Sequence, residues 1–129
     1  MNEKVLDSLK AMGFQTEVLD GCGCCFEYEG QGYLYFDNDD DESFIDIAIP
    51  RVLNKEKYPE MFYQIMDSLN NKMKYVKAYA VDDDMWLFYE RELIGEEQDY
   101  ELLVGRMILR LDAAYKRLLH LLEVAEKDQ

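Results

Sequence analysis

Three cysteines stand close together in the stretch GCGCC, and they are the first residues whose type and spacing could do chemistry. Cys22, Cys24 and Cys25 could supply thiolate ligands to zinc or Cu(I), or a thiol pair for redox chemistry. Zinc usually takes four ligands, often delivered by C-x-x-C pairs, and no such pair is present here. In an extended segment Cys22 and Cys24 share one face and Cys25 points the opposite way, although Gly21 and Gly23 would permit a tight turn. We therefore expect core sulfur without metal or cofactor, and keep a thiol metal or redox centre as the alternative.

Two further groups of possible ligands give weaker indications. The acidic run from Asp37 to Glu42 places carboxylates at alternate positions, as a calcium loop does. It lacks the glycine and the final glutamate that such loops need, so we interpret it as a solvated turn. The one histidine, His120, lies between leucines and is more typical of an ordinary helix residue than of a ligand or base. Because no nucleophile motif and no phosphate-binding glycine loop is present, we expect a protein that is not an enzyme.

Length, charge and composition limit the class of protein. The chain has 129 residues, of which 49% are hydrophobic, so we expect a single folded domain over 1–129. Its formal net charge of -14 argues against nucleic acid and anionic membranes as partners and favours a basic one. No signal-peptide pattern and no apolar run approaching about 18 residues is present. We expect a cytoplasmic protein with reduced thiols.

The first half of the chain has a helical pattern followed by a period of two. A short helix is predicted after the N-cap residue Asn2 and before Gly13, with an apolar stripe on one side. From Phe14 onward, short alternating runs predict strands, with a hairpin at the stretch EGQG. A strand with isoleucines on one face then runs to Pro50, where we expect it to end.

The second half predicts a helix, a hairpin and a long helix. The stretch NKEKYPEMFYQIMDSLNNK has helical spacing, with Pro59 expected in the first turn. Two strands follow, joined by an acidic tip at Asp82–Asp84. The last helix is predicted from about residue 97 to residue 127. The order α-β-β-β(-β)-α-β-β-α predicts an α+β domain, with helices packed on an antiparallel sheet of about five to six strands.

This order of elements resembles the YbjN-domain family, also described as sensory transduction regulators. The resemblance rests on the stretches CCFEYEGQGYLYFDND, FIDIAIP and LNNKMKYVKAYAVDDDMWLFYERELI. Within the last stretch, the residues that carry it are Asn70, Asn71, Val76, Lys77, Ala78 and Glu90. The resemblance implies a fold similar to that of class I type III secretion chaperones, in small and often dimeric proteins without established catalysis.

Aromatic residues on the strands are the best candidates for a binding surface. Alternation places Tyr33 and Tyr35 on one face of their strand, and Trp86 and Phe88 on one face of theirs. Both faces of the sheet therefore contain apolar or aromatic side chains, and helices are expected to cover one of them. We predict that these four residues bind a protein or peptide partner, with ordinary strand packing as the alternative.

The last helix carries an apolar arc that is wide for packing against one sheet. Its residues alternate in steps of four and three, and we expect them to pack on the sheet or to form a homodimer contact. They are Val104, Ile108, Leu111, Tyr115, Leu118 and Leu122.

The function predicted from these features is a protein- or peptide-binding module of chaperone-like or regulatory type. It would act as a homodimer and prefer a basic partner. Two alternatives remain open. One is the thiol metal or redox protein centred on GCGCC, and the other is a small acidic inhibitor that mimics nucleic acid.

Overall fold

Three helices and six strands form in the computed structural model, which describes residues 2–38, 41–95 and 98–127. The predicted α+β class and order of elements are confirmed. The elements are α1 (Glu3–Ala11), β1 (Glu17–Leu19), β2 (Gly23–Tyr28), β3 (Gln31–Phe36), β4 (Phe44–Asn54), α2 (Phe62–Lys72), β5 (Lys77–Val81), β6 (Asp84–Glu92) and α3 (Tyr100–Lys127).

The strands form one antiparallel sheet in the order β1-β2-β3-β4-β6-β5, and the helices cover one of its faces. Alternate strand side chains are buried in the same cluster as the apolar side chains of α1, α2 and α3. The strand members of this cluster are Cys24, Phe26, Tyr33, Tyr35, Ile45, Ile47, Ile49, Leu53, Ala78, Met85, Leu87 and Tyr89. The described residues therefore form two layers, and none of the three helices α1, α2 and α3 lies on the second face of the sheet.

The two hairpins close through tight turns with left-handed residues. Glu29 and Gly30 have φ values of 50° and 79°, as a type I′ turn between β2 and β3 requires. Asp82, with φ of 55°, begins the turn between β5 and β6. Asp84, expected at this acidic tip, is already part of β6 and pairs with Val81. Both hairpins were predicted, because short-range turn chemistry determines them.

Strand β4 does not end at Pro50, as the sequence predicts, but continues to Asn54. The pairing of β4 with β6 shifts register between Ile49 and Leu53, and Arg51 has φ of 51°. A proline is tolerated at such a bulge because the bulge already interrupts the ladder of backbone hydrogen bonds. The prediction was wrong because proline excludes a regular ladder position but not a bulge.

Helix boundaries follow local capping. The side chain of Asn2 accepts a hydrogen bond from the Lys4 backbone N–H, as predicted for an N-cap. Gly13 follows α1 with φ of 92°, also as predicted. Helix α2 begins at Phe62, so the prediction that Pro59 lies in its first turn was wrong. Pro59 disfavours helical backbone at Tyr58 and thereby separates the residues before it from the helix.

The two edges of the sheet differ. β1 forms one edge and has three residues, with Val18 exposed. β5 forms the other edge, and the side chain of Asn70 from α2 lies along it. Asn70 Nδ2 donates to the Ala78 carbonyl at 2.9 Å, and Asn70 Oδ1 accepts from the Ala78 N–H at 2.7 Å. The side chain thus occupies backbone groups that a further strand would use.

Candidate functional site

The face of the sheet without helices carries a row of stacked aromatic rings, which we call the aromatic ridge. Its members are Phe36 in β3, Tyr79 in β5, and Trp86 and Phe88 in β6. Ring centroids are 4.3 Å apart for Tyr79 and Phe88, 5.8 Å for Trp86 and Phe88, and 6.2 Å for Phe36 and Phe88. These separations lie within the range of favourable aromatic contacts.

Strand register explains why the ridge spans three strands. Tyr79 is directly opposite Trp86, so their rings start from neighbouring positions. Phe36 and Phe88 lie on strands separated by β4, about 10 Å apart at the backbone. Ala48, paired with Phe88, lies between them, and its methyl group leaves space for the two rings to meet. Ala48 itself is fully buried, with 0% exposure.

The ridge is open to solvent along part of its length. Tyr79 is 36% exposed, Phe36 and Trp86 are half-buried, and Phe88 is buried beneath its neighbours. A surface of this kind offers flat apolar area with the hydroxyl of tyrosine and the indole N–H of tryptophan as polar groups.

Two of the four predicted binding residues lie on the other face. Tyr33 and Tyr35 are only 1% and 2% exposed and pack beneath the helices. The Tyr35 hydroxyl accepts a hydrogen bond from the Asn2 N–H at 3.3 Å, and burial raises the pKa of Tyr35 to about 12. The prediction that they share a binding surface with Trp86 and Phe88 was wrong. Alternation separates the two sides of each strand, but it does not indicate which side meets the helices.

An acidic group lies beside the ridge on the same face. Asp46 in β4 is paired with Glu90 in β6, and Lys77 Nζ lies 3.3 Å from a carboxylate oxygen of Glu90. Burial, and then the charge of Glu90, raise the pKa of Asp46 to about 6, although Lys77 opposes the shift. Among the described residues, Asp46 Oδ1 has no hydrogen-bond partner although it is buried. A carboxylate in this position is stabilised by an added positive charge.

The three cysteines do not lie on a common surface. Cys22 is in the turn before β2, Cys24 is buried against the helices, and Cys25 is half-buried on the other face. Burial, and then the neighbouring Cys25, raise the pKa of Cys24 to about 11, which disfavours its reactive thiolate form. Within residues 2–38, 41–95 and 98–127, no three or more His, Cys, Asp and Glu side chains come together as a group that could hold a metal ion.

The glycines of the same stretch have a stronger structural role than the cysteines. Gly23 has φ of 146°, and a Cβ added there would lie 1.9 Å from the backbone oxygen of Tyr35. Any larger residue would therefore separate β2 from β3. Gly21, with φ of 73°, lies in the preceding turn, as expected from the sequence.

The predicted apolar arc of α3 lies mainly inside the molecule. Val104, Ile108, Leu111 and Leu118 are at most 2% exposed and belong to the core cluster, and Tyr115 and Leu122 pack partly against it. The four buried side chains are unavailable to a second subunit, so this stripe is a helix-packing face. The large exposed apolar side chains of α3 are Leu102, Leu109, Leu119 and Val124, none of which belongs to the predicted arc.

The other candidate ligands are dispersed. His120 is exposed on α3. In the acidic run, Asp39 and Asp40 lie outside the described residues, as does the predicted start of the last helix near residue 97. Asp41 Oδ1 accepts hydrogen bonds from the backbone N–H and the hydroxyl of Ser43, which is the geometry of a local turn.

Sequence reasoning missed Phe36 and Tyr79 as members of the ridge. The two-residue turn at Asp82 and Asp83 fixes the hairpin register, so Tyr79 opposite Trp86 could have been derived from the sequence. The position of Phe36 could not, because it depends on the order of β3, β4 and β6 in the sheet.

No helix in the described part of the chain is long and apolar enough to cross a membrane. Comparisons with protein families and with curated proteins return no match. Among solved structures, the chain is similar to an uncharacterized protein from Methanothermobacter thermautotrophicus, with a TM-score of 0.68 and 16% sequence identity. The similarity covers 96% of this chain and 97% of that one. At this level of identity it concerns the fold alone, and it supports the α+β assignment along nearly the whole chain.

Proposed function

We propose that this chain is a non-enzymatic binding module and that the aromatic ridge captures a protein or peptide segment with basic and apolar side chains. The observation that carries the proposal is the row of stacked rings on the sheet face that α1, α2 and α3 leave uncovered. Aromatic side chains are enriched in protein interfaces, where they supply large rigid contact area.

The negative charge around the aromatic ridge favours a partner with basic side chains. The ridge face carries many carboxylates and the amine of Lys77, which is already paired with Glu90. By strand register and alternation, the acidic residues on this face are Glu17, Glu27, Asp46, Asp84, Glu90 and Glu92. A lysine or arginine of the partner would compensate the buried charge of Asp46, and the net charge of -14 would speed its approach. The resemblance to the YbjN-domain family agrees with this proposal, and homodimer formation stays a prediction.

The fluorescence of Trp86 can report binding at this surface. Trp86 is the one tryptophan, so the intrinsic fluorescence excited at long wavelength comes from the ridge itself. We would titrate the protein with synthetic peptides of equal length that alternate apolar residues with either basic or acidic ones. We expect the basic peptides to shift the Trp86 emission saturably and the acidic peptides to leave it unchanged.

Matched substitutions separate the ridge from general charge attraction. Tyr79→Ser should weaken binding by about tenfold or more, as loss of an interface aromatic does. Tyr63→Ser removes a tyrosine that is 55% exposed on α2, in the helix layer, and should leave affinity unchanged. Equal weakening by both variants, or no saturable shift with any basic peptide, would rule out the ridge as the binding surface.

A further inference from the structure

We propose that a pocket between β6 and the first turns of α3 binds a small phosphate monoester. The pocket has a volume of about 270 Å³ and is lined by Arg91, Arg106 and Arg110, together with Tyr75 and Asp99. It thus collects three of the five arginines in a chain whose net charge is -14. Its volume lies just below the usual range of about 300–1,000 Å³ for small-molecule sites, which favours a small ligand.

The fold brings the three arginines to the lining of this pocket from two elements. Arg106 and Arg110 are one helical turn apart on α3, so they share a side of the helix. Arg91 comes from the end of β6, where it pairs with Ile45 on the face that the helices cover. Arginine presents a planar fork of donors that matches the oxygens of a phosphate group.

The charges of the described lining residues match those of a phosphate. The described lining side chains contain three arginines and one carboxylate, that of Asp99, which gives a net charge of +2. A phosphate monoester carries about -1.5 to -2 at neutral pH. Asp99 is already engaged, because its Oδ1 accepts the Leu102 N–H at 3.1 Å in the first turn of α3.

The arginines have no acidic partner among the described residues. Lysines make all the ion pairs between described side chains: Lys77 with Glu90, Lys116 with Glu29 and Asp112, and Lys127 with Glu123. In a chain with twice as many acidic as basic residues, arginines without a carboxylate partner are unexpected. The described carboxylates thus do not occupy the donors of these arginines.

The backbone and ring of Tyr75 independently indicate that the pocket is an organised binding site. Its φ of 70° is unfavourable for a bulky residue, and its side chain is 62% exposed. The ring stacks on that of Tyr89, with centroids 5.9 Å apart and planes 9° from parallel. The Arg110 guanidinium carbon lies 4.4 Å from the Tyr75 ring centroid, so this strained residue positions one of the three cations.

Isothermal titration calorimetry at low ionic strength tests the proposal with phenyl phosphate and inorganic phosphate as probes. We expect phenyl phosphate to bind one molecule per chain, at millimolar concentration or lower. Arg91→Gln and Arg106→Gln should each weaken binding by about tenfold or more, as loss of a charged hydrogen-bond donor does. Circular dichroism melting of each variant checks that it remains folded.

Arg117→Gln is the matched control, because it removes the same charge from an exposed position on the same helix outside the pocket. It should leave the affinity within about twofold. The proposal is overturned by absence of one-to-one binding, or by equal weakening in Arg117→Gln, which would indicate unspecific charge attraction. Benzoate binding as tightly as phenyl phosphate would overturn the assignment to phosphate.

Discussion

Asp46 is a carboxyl group whose surroundings favour its protonated form. Asp46 lies in β4, between β3 and β6, and is paired with Glu90. Burial is the main cause that raises its pKa from 3.8 to about 6, and the negative charge of Glu90 is the second. The folded state therefore binds a proton more tightly than the unfolded chain between these two pH values. The contribution of this group to stability falls as the pH rises through that interval and is constant above it.

Replacing Asp46 removes this pH dependence. We expect Asp46→Asn to have nearly wild-type stability at about pH 4 and to exceed it increasingly up to about pH 7, because the variant carries no charge to bury. Urea unfolding of both proteins across this pH range measures the difference.

Glu27→Gln serves as the control, since it removes the same charge from an exposed position on β2. Its stability relative to wild type should change much less over the same interval. A difference between Asp46→Asn and wild type that does not vary with pH would contradict the shifted pKa.

At the scale of the elements, Asn70 joins helix α2 to the backbone of edge strand β5. Its side chain makes two hydrogen bonds with Ala78, at 2.7 and 2.9 Å, while Lys77 pairs across the hairpin with Glu90. These residues belong to the run on which the family resemblance rests. Their contacts show what such a run does physically: it fixes the position of α2 and β5 relative to each other.

We expect Asn70→Ala to lower the free energy of unfolding by about 1–3 kcal/mol, because both backbone groups of Ala78 lose their partner. The same change leaves the edge of β5 open, so self-association should increase with protein concentration. Urea unfolding and analytical ultracentrifugation measure the two effects.

Asn71→Ala provides the comparison. The Asn71 side chain donates to the Asp67 carbonyl within its own helix, so its loss should cost less than about 0.5 kcal/mol. If the two variants are equally stable, the paired hydrogen bonds of Asn70 contribute nothing to the attachment of β5.

The elements that the sequence predicted correctly are those determined by near neighbours. The N-cap at Asn2 and the hairpin at the stretch EGQG depend on a few adjacent residues. The face on which Tyr33 and Tyr35 lie depends on where distant helices pack, and the sequence could not supply it. The same reason explains the arc of α3, whose width reflects simultaneous contact with β4, β6, α1 and α2.

At the scale of the whole molecule, repulsion between like charges opposes folding. The chain has 28 acidic and 14 basic side chains, and folding brings the excess negative charge into a smaller volume. Raising the salt concentration shortens the range of this repulsion to about 10 Å at 0.1 M. We therefore expect the melting temperature to rise by a few degrees between low salt and about 0.2 M sodium chloride. For a chain of this length, each kcal/mol of added stability raises the melting temperature by roughly 3 °C.

Differential scanning calorimetry at neutral pH measures this increase. The same scan near the isoelectric pH is the control, since the net charge is zero there and added chloride should have little effect. An increase of equal size at both pH values would mean that salt acts on the protein by another route than screening.

The unequal edges of the sheet limit how copies of this chain could join through their backbones. Because Asn70 occupies backbone groups on β5, the edge at β1 is the more accessible one for a further strand. If further strands add only at β1, each molecule has a valence of one for sheet extension. Two copies joined at their β1 edges would form a closed pair with a terminated strand at each end, whereas an endless fibre needs a valence of two. The side-chain amide of Asn70 would in that case favour closed pairs over endless assemblies.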